Sequence, residues 1–79
     1  MSRSRDVVEV IAKALADHPE SVRVTEQVHR GQTVVELFMA QGDLGRVIGR
    51  QGRTAAALRT LVAATAELDG ARVTLEFRD

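Results

Sequence analysis

The stretch that decides the fold is residues 43–54, Asp-Leu-Gly-Arg-Val-Ile-Gly-Arg-Gln-Gly-Arg-Thr. Gly49 and Gly52 interrupt an otherwise helical pattern, and glycine allows a tight reversal and a close approach of a ligand to the backbone. The residues after Gly52 begin a helix, and the start of a helix carries partial positive charge. The stretch therefore predicts a helix, a tight loop and a second helix, an arrangement that suits a phosphate group.

Three helices are predicted from apolar residues that recur at helical spacing. The first begins with the capping-box spacing of Asp6 and Glu9 and ends before a proline. Asp43 is a good N-cap for the short second helix, and a wide apolar stripe marks the third. The predicted helices cover about residues 6–16, 43–48 and 53–67.

Three strands are predicted from alternating apolar and polar residues. The first two are close enough in sequence to form an antiparallel hairpin. In the second strand Val35, Leu37 and Met39 would face the core, and the opposite face carries Val34 and Phe38, which we expect the first helix to cover. The predicted strands cover residues 22–28, 33–40 and 72–78.

These elements give the order α-β-β-α-α-β, an α+β fold with a three-stranded sheet packed against three helices. The chain has 79 residues, of which 44% are hydrophobic. That is enough for one core and too little for a second, so residues 1–79 are predicted to form a single domain.

The sequence lacks the residue combinations that catalysis, metal binding and nucleotide-cofactor binding require. No nucleophile with a base and no carboxylate pair stands out, so we expect no enzyme and no small-molecule substrate. His18 and His29 lie in separate turns without a second ligand nearby, and cysteine is absent, so no metal site is predicted. The glycine spacing fits neither a Walker A loop nor a dinucleotide fingerprint, so no cofactor is expected.

The opening residues lack the apolar run of a signal peptide, and the sequence lacks an apolar run long enough to cross a membrane. We therefore expect a cytoplasmic protein. Its 11 basic and 11 acidic residues give zero net charge. Residues 44–66, however, contain no acid and carry +4 from Arg46, Arg50, Arg53 and Arg59. This basic segment suits a nucleic-acid backbone. On spacing alone, an ordinary helix-turn-helix with glycine for packing and arginine for solubility is the alternative.

The segment Gly45–Thr54 resembles the GxxG loop of the KH domain, and nearly the whole chain resembles the small bacterial single-KH proteins of the KhpA (YlqC) family. The resemblance implies a type II-like KH fold and single-stranded RNA clamped by its backbone at residues 49–52. It also implies an RNA chaperone or post-transcriptional regulator with a role in cell elongation and envelope homeostasis. The implied RNA-binding residues are Gly45, Arg46, Val47, Ile48, Gly49, Arg50, Gln51, Gly52, Arg53 and Thr54.

The third helix suggests a second surface, because one small core cannot cover so wide an apolar stripe. We expect a homodimer through Ala57, Leu61 and Ala64, and the resemblance implies pairing with a second KH-containing protein. Good helix-forming propensity is the other explanation for the alanines. A protein-interaction adaptor whose partner binds the RNA is the rival function. The short connection at residues 69–71 leaves little of the family's second groove lip, which suggests weak, tolerant binding.

Overall fold

The computed structural model describes residues 2–78, so the predicted domain ends at residues 1 and 79 lie outside the described residues. The element order α-β-β-α-α-β and the three-stranded sheet confirm the predicted fold class. Among the helices of residues 2–78, none is both long and apolar enough to cross a membrane. The elements are α1 (Arg3–Leu15), β1 (Arg23–His29), β2 (Gln32–Phe38), α2 (Gln41–Ile48), α3 (Arg53–Leu68) and β3 (Val73–Arg78), with 3-10 turns at Pro19–Ser21 and Arg50–Gly52.

The start of α1 differs from the predicted start at residue 6. Ser2 is the N-cap, and its hydroxyl accepts a hydrogen bond from the backbone N–H of Arg5 at 3.1 Å. Asp6 then lies inside the first turn rather than at the cap. Both serine and aspartate are good caps, so the capping-box pattern selected the wrong one of two suitable starts.

The sheet has the order β1-β2-β3 and is mixed. The strands β1 and β2 pair antiparallel with Val24 opposite Leu37, which confirms the predicted hairpin. Their turn has positive φ at Arg30 (52°) and Gly31 (78°), as a two-residue hairpin of type I′ requires. The strands β2 and β3 pair in parallel, so the segment that contains α2 and α3 crosses from one to the other.

The core lies on one face of this sheet. Val35 and Leu37 are buried there, and so is Met39, as the alternation in the predicted strand 33–40 indicates, although β2 ends at Phe38 and Met39 lies beyond it. Residues from all three helices complete the cluster because each helix turns its apolar face toward the same side of the sheet. They are Val8 and Ala12 from α1, Val47 from α2, and Leu58 and Val62 from α3.

The helices of residues 2–78 pack on the core face and leave the other face of the sheet uncovered. Val34 and Phe38 lie there half-buried, and Val34 is flanked by Gln27 on β1 and Thr74 on β3. The expectation that the first helix covers this face is wrong, because α1 packs in the core beside Val35. Both faces of β2 are apolar, so alternation alone could not decide which of them the helix takes.

Candidate nucleic-acid interface

The loop between α2 and α3 is a single tight turn that backbone hydrogen bonds hold in place. The N–H of Gly49 donates to the carbonyl of Gly45 at 2.9 Å, and the N–H of Gly52 donates to the carbonyl of Gly49 at 3.2 Å. Three of its four residues have positive φ, with 75° at Gly49, 58° at Gln51 and 72° at Gly52. The backbone therefore passes from helix to helix in a left-handed conformation, which keeps the loop short.

The two glycines of this loop meet different constraints. A Cβ on Gly49 would lie 2.4 Å from Oγ1 of Thr54 and 2.8 Å from its Cβ, closer than side chains approach one another. A Cβ on Gly52 would meet nothing within 4 Å, so only the backbone angle favours glycine there. Gly49 thus fixes the packing of the loop on α3, and Gly52 leaves an open surface above it.

The partial positive charge at the start of α3 has no acidic or capping side chain from the helix's own first turn beside it. Gly52 is the N-cap and has no side chain to cap the helix, and no acid lies in the first turn. The partial positive charge of a 16-residue helix therefore remains at the point where the loop joins it.

The four arginines of the basic segment differ in their surroundings. Arg46 is engaged, with its Nη2 3.0 Å from the carboxylate of Asp17. Arg50 and Arg53 are exposed, and no carboxylate within residues 2–78 lies within ion-pair distance of either. Arg53 donates to the side-chain oxygen of Gln51 at 3.2 Å, which draws the side chains of the loop and the helix start together. Two guanidinium groups without a carboxylate partner among residues 2–78 therefore lie at the loop, one within it and one directly after it.

The implied RNA-binding residues do not form one exposed set. Val47 is fully buried in the core, so it supports α2 and offers no surface to a ligand. The others lie at or near the surface around the loop. Exposed are Gly45, Arg46, Arg50, Gln51 and Arg53, and half-buried are Ile48, Gly49, Gly52 and Thr54.

Asp43 does not cap α2, contrary to the prediction, because the helix begins at Gln41 and its N-cap is Ala40. The Asp43 carboxylate is buried and accepts the backbone N–H of His18 at 2.8 Å. Burial raises the pKa of Asp43, but hydrogen bonds from the backbone N–H groups of His18 and Asp17 outweigh it, so the pKa lies below its ordinary value. The contact joins the connection after α1 to α2, the helix that leads into Gly49.

This anchor is the feature that sequence reasoning missed. Asp43 and His18 are separated by 25 residues, and a cap and a long-range acceptor use the same type of side chain. The side chain of His18 reaches the same carboxylate, with Nδ1 3.4 Å from Oδ2. Within residues 2–78, no group of three His, Cys, Asp or Glu side chains is placed to hold a metal ion.

The outer side of α3 carries an apolar stripe that consists of Ala57, Leu61, Ala64 and Leu68, which we call the α3 stripe. All four are exposed, Leu61 by 43% and Leu68 by 77%. Ala57 and Leu61 of the stripe also line a shallow apolar depression of about 150 Å³ between α1 and α3, together with Ile11 of α1. The three residues predicted to mediate dimerisation lie in this stripe.

Comparison with known proteins places the chain in a family. The family model described as KhpA/KhpB, KH domain, matches residues 5–77. The RNA-binding protein KhpA of Aquifex aeolicus is 47% identical over 77 residues, which is 98% of each chain. The proteins of the same name from Caldanaerobacter subterraneus and Halalkalibacterium halodurans are 49% and 47% identical, over 91% and 95% of this chain and 96% and 99% of their own. This chain therefore belongs to the KhpA/KhpB family of KH-domain proteins.

Proposed function

We propose that this protein binds single-stranded RNA through the loop at residues 49–52. The observation that carries the proposal is the pair of unpaired arginines, Arg50 and Arg53, beside an uncapped helix start. Guanidinium groups form strong charge-assisted hydrogen bonds with phosphate, and a helix start favours negative charge. The curated relatives are named RNA-binding proteins rather than enzymes, in agreement with the prediction of a non-enzymatic protein.

The phosphate backbone would lie across Gly52, where the surface is open, within reach of the exposed Arg50 and Arg53 side chains. Contacts to phosphate position a strand but carry no sequence information. Binding should therefore tolerate many sequences. The connection from α3 to β3 adds little further surface, since α3 ends at Leu68 and β3 begins at Val73. With zero net charge, general attraction to RNA is small, so affinity depends on the loop.

The test is a double substitution, Arg50→Asp with Gln51→Asp, measured by fluorescence anisotropy with a short labelled single-stranded RNA at low salt. We expect affinity to fall roughly tenfold or more, because hydrogen bonds to charged groups each contribute about 1.5–3 kcal/mol and reversal adds repulsion. The matched control is Arg30→Asp with Gln27→Asp, which makes the same charge change at exposed positions of the hairpin. Equal affinity of the loop variant and the wild type would refute the proposal.

We further propose that the protein forms a homodimer through the α3 stripe, and that the same surface serves a heteromer with a second KH-containing protein. Two exposed leucines on one helix face leave apolar area in water, which association would bury. A dimer also presents two loops to one RNA and so raises the effective affinity.

The dimer is tested by light scattering at tens of micromolar. Leu61→Glu should give a monomer, since it places a charge in the middle of the stripe. Thr60→Glu is the control, as Thr60 is also exposed on α3 but lies outside the stripe. A wild-type protein that is already monomeric at this concentration would rule the homodimer out.

The second candidate function is an adaptor that uses the α3 stripe to hold a partner, with the RNA bound by that partner. The exposure of Leu61 and Leu68 favours it. Salt separates the two functions, because phosphate contacts weaken steeply as salt rises and apolar contacts do not. An isolated protein that does not bind RNA even at low salt, together with partner association that does not change with salt, would favour the adaptor.

Finally, we propose that the protein acts on RNA in the cytoplasm as a chaperone or post-transcriptional regulator, with a role in cell elongation and envelope homeostasis. Sequence-tolerant contacts to the backbone suit a protein that meets many RNAs. Crosslinking in cells followed by sequencing of the bound RNA tests this role. Many bound transcripts that are lost in the Arg50→Asp, Gln51→Asp variant are the expected result.

A further inference from the structure

Arg59 lies on the second turn of α3, outside the loop and outside the residues that the family resemblance implies. Its guanidinium carbon is 4.9 Å from the centroid of the Phe77 ring, within the range of a cation–π contact. Phe77 is half-buried in β3 and packs against the core. The ring is therefore held in place, and it holds the guanidinium group in turn.

The Arg59–Phe77 pair lies near the carboxyl-terminal ends of β2 and β3, where the chain leaves β2 toward α2 and the loop. The strands β2 and β3 are parallel, with Leu37 opposite Phe77, and α2 begins shortly after β2 at Gln41. The helix α3 follows the loop directly, and Arg59 is six residues after Arg53, about 9 Å along the helix axis. Six residues also rotate the helix, so Arg59 lies about a third of a turn around α3 from Arg53. A strand whose backbone crosses the loop and then turns along α3 would bring a base to the pair.

The surroundings leave Arg59 available for a ligand. It is exposed, and no carboxylate within residues 2–78 lies within ion-pair distance of it. A guanidinium group that lies over an aromatic ring can keep its second face and its N–H groups for a ligand. Unpaired bases of RNA stack on planes of this kind.

We propose that Arg59, positioned by Phe77, is a stacking platform for an unpaired base of the RNA strand whose backbone lies on the loop. The inference rests on the proposed function and assigns a separate task to a separate residue. Arg50 and Arg53 neutralise phosphate, whereas Arg59 contacts a base. Stacking accepts every base, so the platform adds affinity without a strict sequence requirement.

The experiment compares two short labelled single-stranded RNAs, one with normal bases and one in which the same backbone is abasic. Arg59→Lys keeps the positive charge and removes the planar group. We expect the affinity for the normal RNA to fall roughly fivefold or more, because a base-stacking side chain has been removed. The affinity for the abasic RNA should change by less than about twofold, because it has no base to stack. Arg72→Lys is the control, because Arg72 is exposed just before β3, at the other end of the strand from Phe77.

A second variant tests the support given by the ring. Phe77→Leu keeps an apolar side chain against the core but removes the aromatic face. This variant should also lower the affinity for the normal RNA but not for the abasic RNA. The double variant Arg59→Lys, Phe77→Leu should bind little more weakly than either single variant, because both substitutions disrupt the same stacked pair. Circular dichroism checks whether each variant keeps its fold.

Three results would overturn the inference. Unchanged binding of both RNAs by Arg59→Lys, with binding lost in the Arg50→Asp, Gln51→Asp variant, leaves the loop as the RNA site and reduces the pair to a contact between α3 and β3. Equal losses for normal and abasic RNA make Arg59 a phosphate contact instead. Unchanged binding by the loop variant removes the proposed function, and the platform with it.

Discussion

The hairpin turn at residues 29–32 and the loop at residues 49–52 both contain arginine, glycine and glutamine, and each has two successive residues with similar positive φ values. The φ values are 52° at Arg30 and 78° at Gly31, against 58° at Gln51 and 72° at Gly52. Their flanks differ. The hairpin joins two paired strands, with His29 opposite Gln32, whereas the loop joins the end of one helix to the uncapped start of another. Residue type and positive φ are therefore common to both turns, and the elements on either side distinguish them.

The largest expected difference between the two turns is in their tolerance of a side chain. Gly49→Ala introduces a clash with Thr54 together with backbone strain, so we expect a loss of about 3 kcal/mol in the free energy of unfolding. Gly31→Ala meets open space and should cost about 1 kcal/mol, from the positive φ alone. Urea denaturation measures both. Equal losses would mean that the loop is no more tightly packed than the hairpin.

The second difference is in salt dependence. Arg50→Ala should reduce the slope of log affinity against log salt by about 0.7, the contribution of one phosphate contact to a single strand. Arg30→Ala should leave the slope unchanged, although both arginines are exposed in tight turns. Titrations at several salt concentrations give the slopes. If Arg30 and Arg50 lowered the slope alike, the RNA would be responding to charge and not to the loop.

The third difference is in anchoring, since α2 is held by Asp43 and the hairpin has no comparable buried carboxylate among residues 2–78. The lowered pKa of Asp43 means that it stabilises the fold above its unfolded-state pKa and that this contribution disappears as the pH falls through the lower folded-state pKa. Asp43→Asn should therefore be less stable than the wild type at neutral pH, and the difference should shrink in acid. Thermal unfolding across this range measures it, with Asp6→Asn, an exposed carboxylate on α1, as the control.

The smallest expected effect concerns the Asp17–Arg46 pair. Both side chains are 57% exposed, so their contact contributes little, and Asp17→Ala should change the free energy of unfolding by less than about 0.5 kcal/mol. The released guanidinium group lies one turn before the loop, so RNA affinity should rise slightly. Asp6→Ala, which removes an exposed carboxylate from α1, is the matched control for affinity. A fall in affinity in Asp17→Ala would show that Arg46 contributes only when it is held by its partner.

Much of the fold follows from local pattern. Alternation in β2 identified Val35 and Leu37 as core, and the glycine pair located the turn between two helices. The errors occurred where two local solutions were equally good or where the decisive contact was distant. Ser2 and Asp6 both make good caps, both faces of β2 are apolar, and the role of Asp43 depends on a backbone group 25 residues away. The contact of Arg59 with Phe77 likewise joins two elements that no sequence motif connects.

The parallel pairing of β2 with β3 also has a consequence for folding during synthesis. The two strands pair only after the intervening segment has folded back, and such long-range parallel contacts form slowly. During synthesis β3 is the last of the described elements to emerge, and Phe77 and Leu75 reach the core only then. We therefore expect a nascent chain that lacks β3 to hold α3 loosely, so that RNA is engaged only once this strand has left the ribosome.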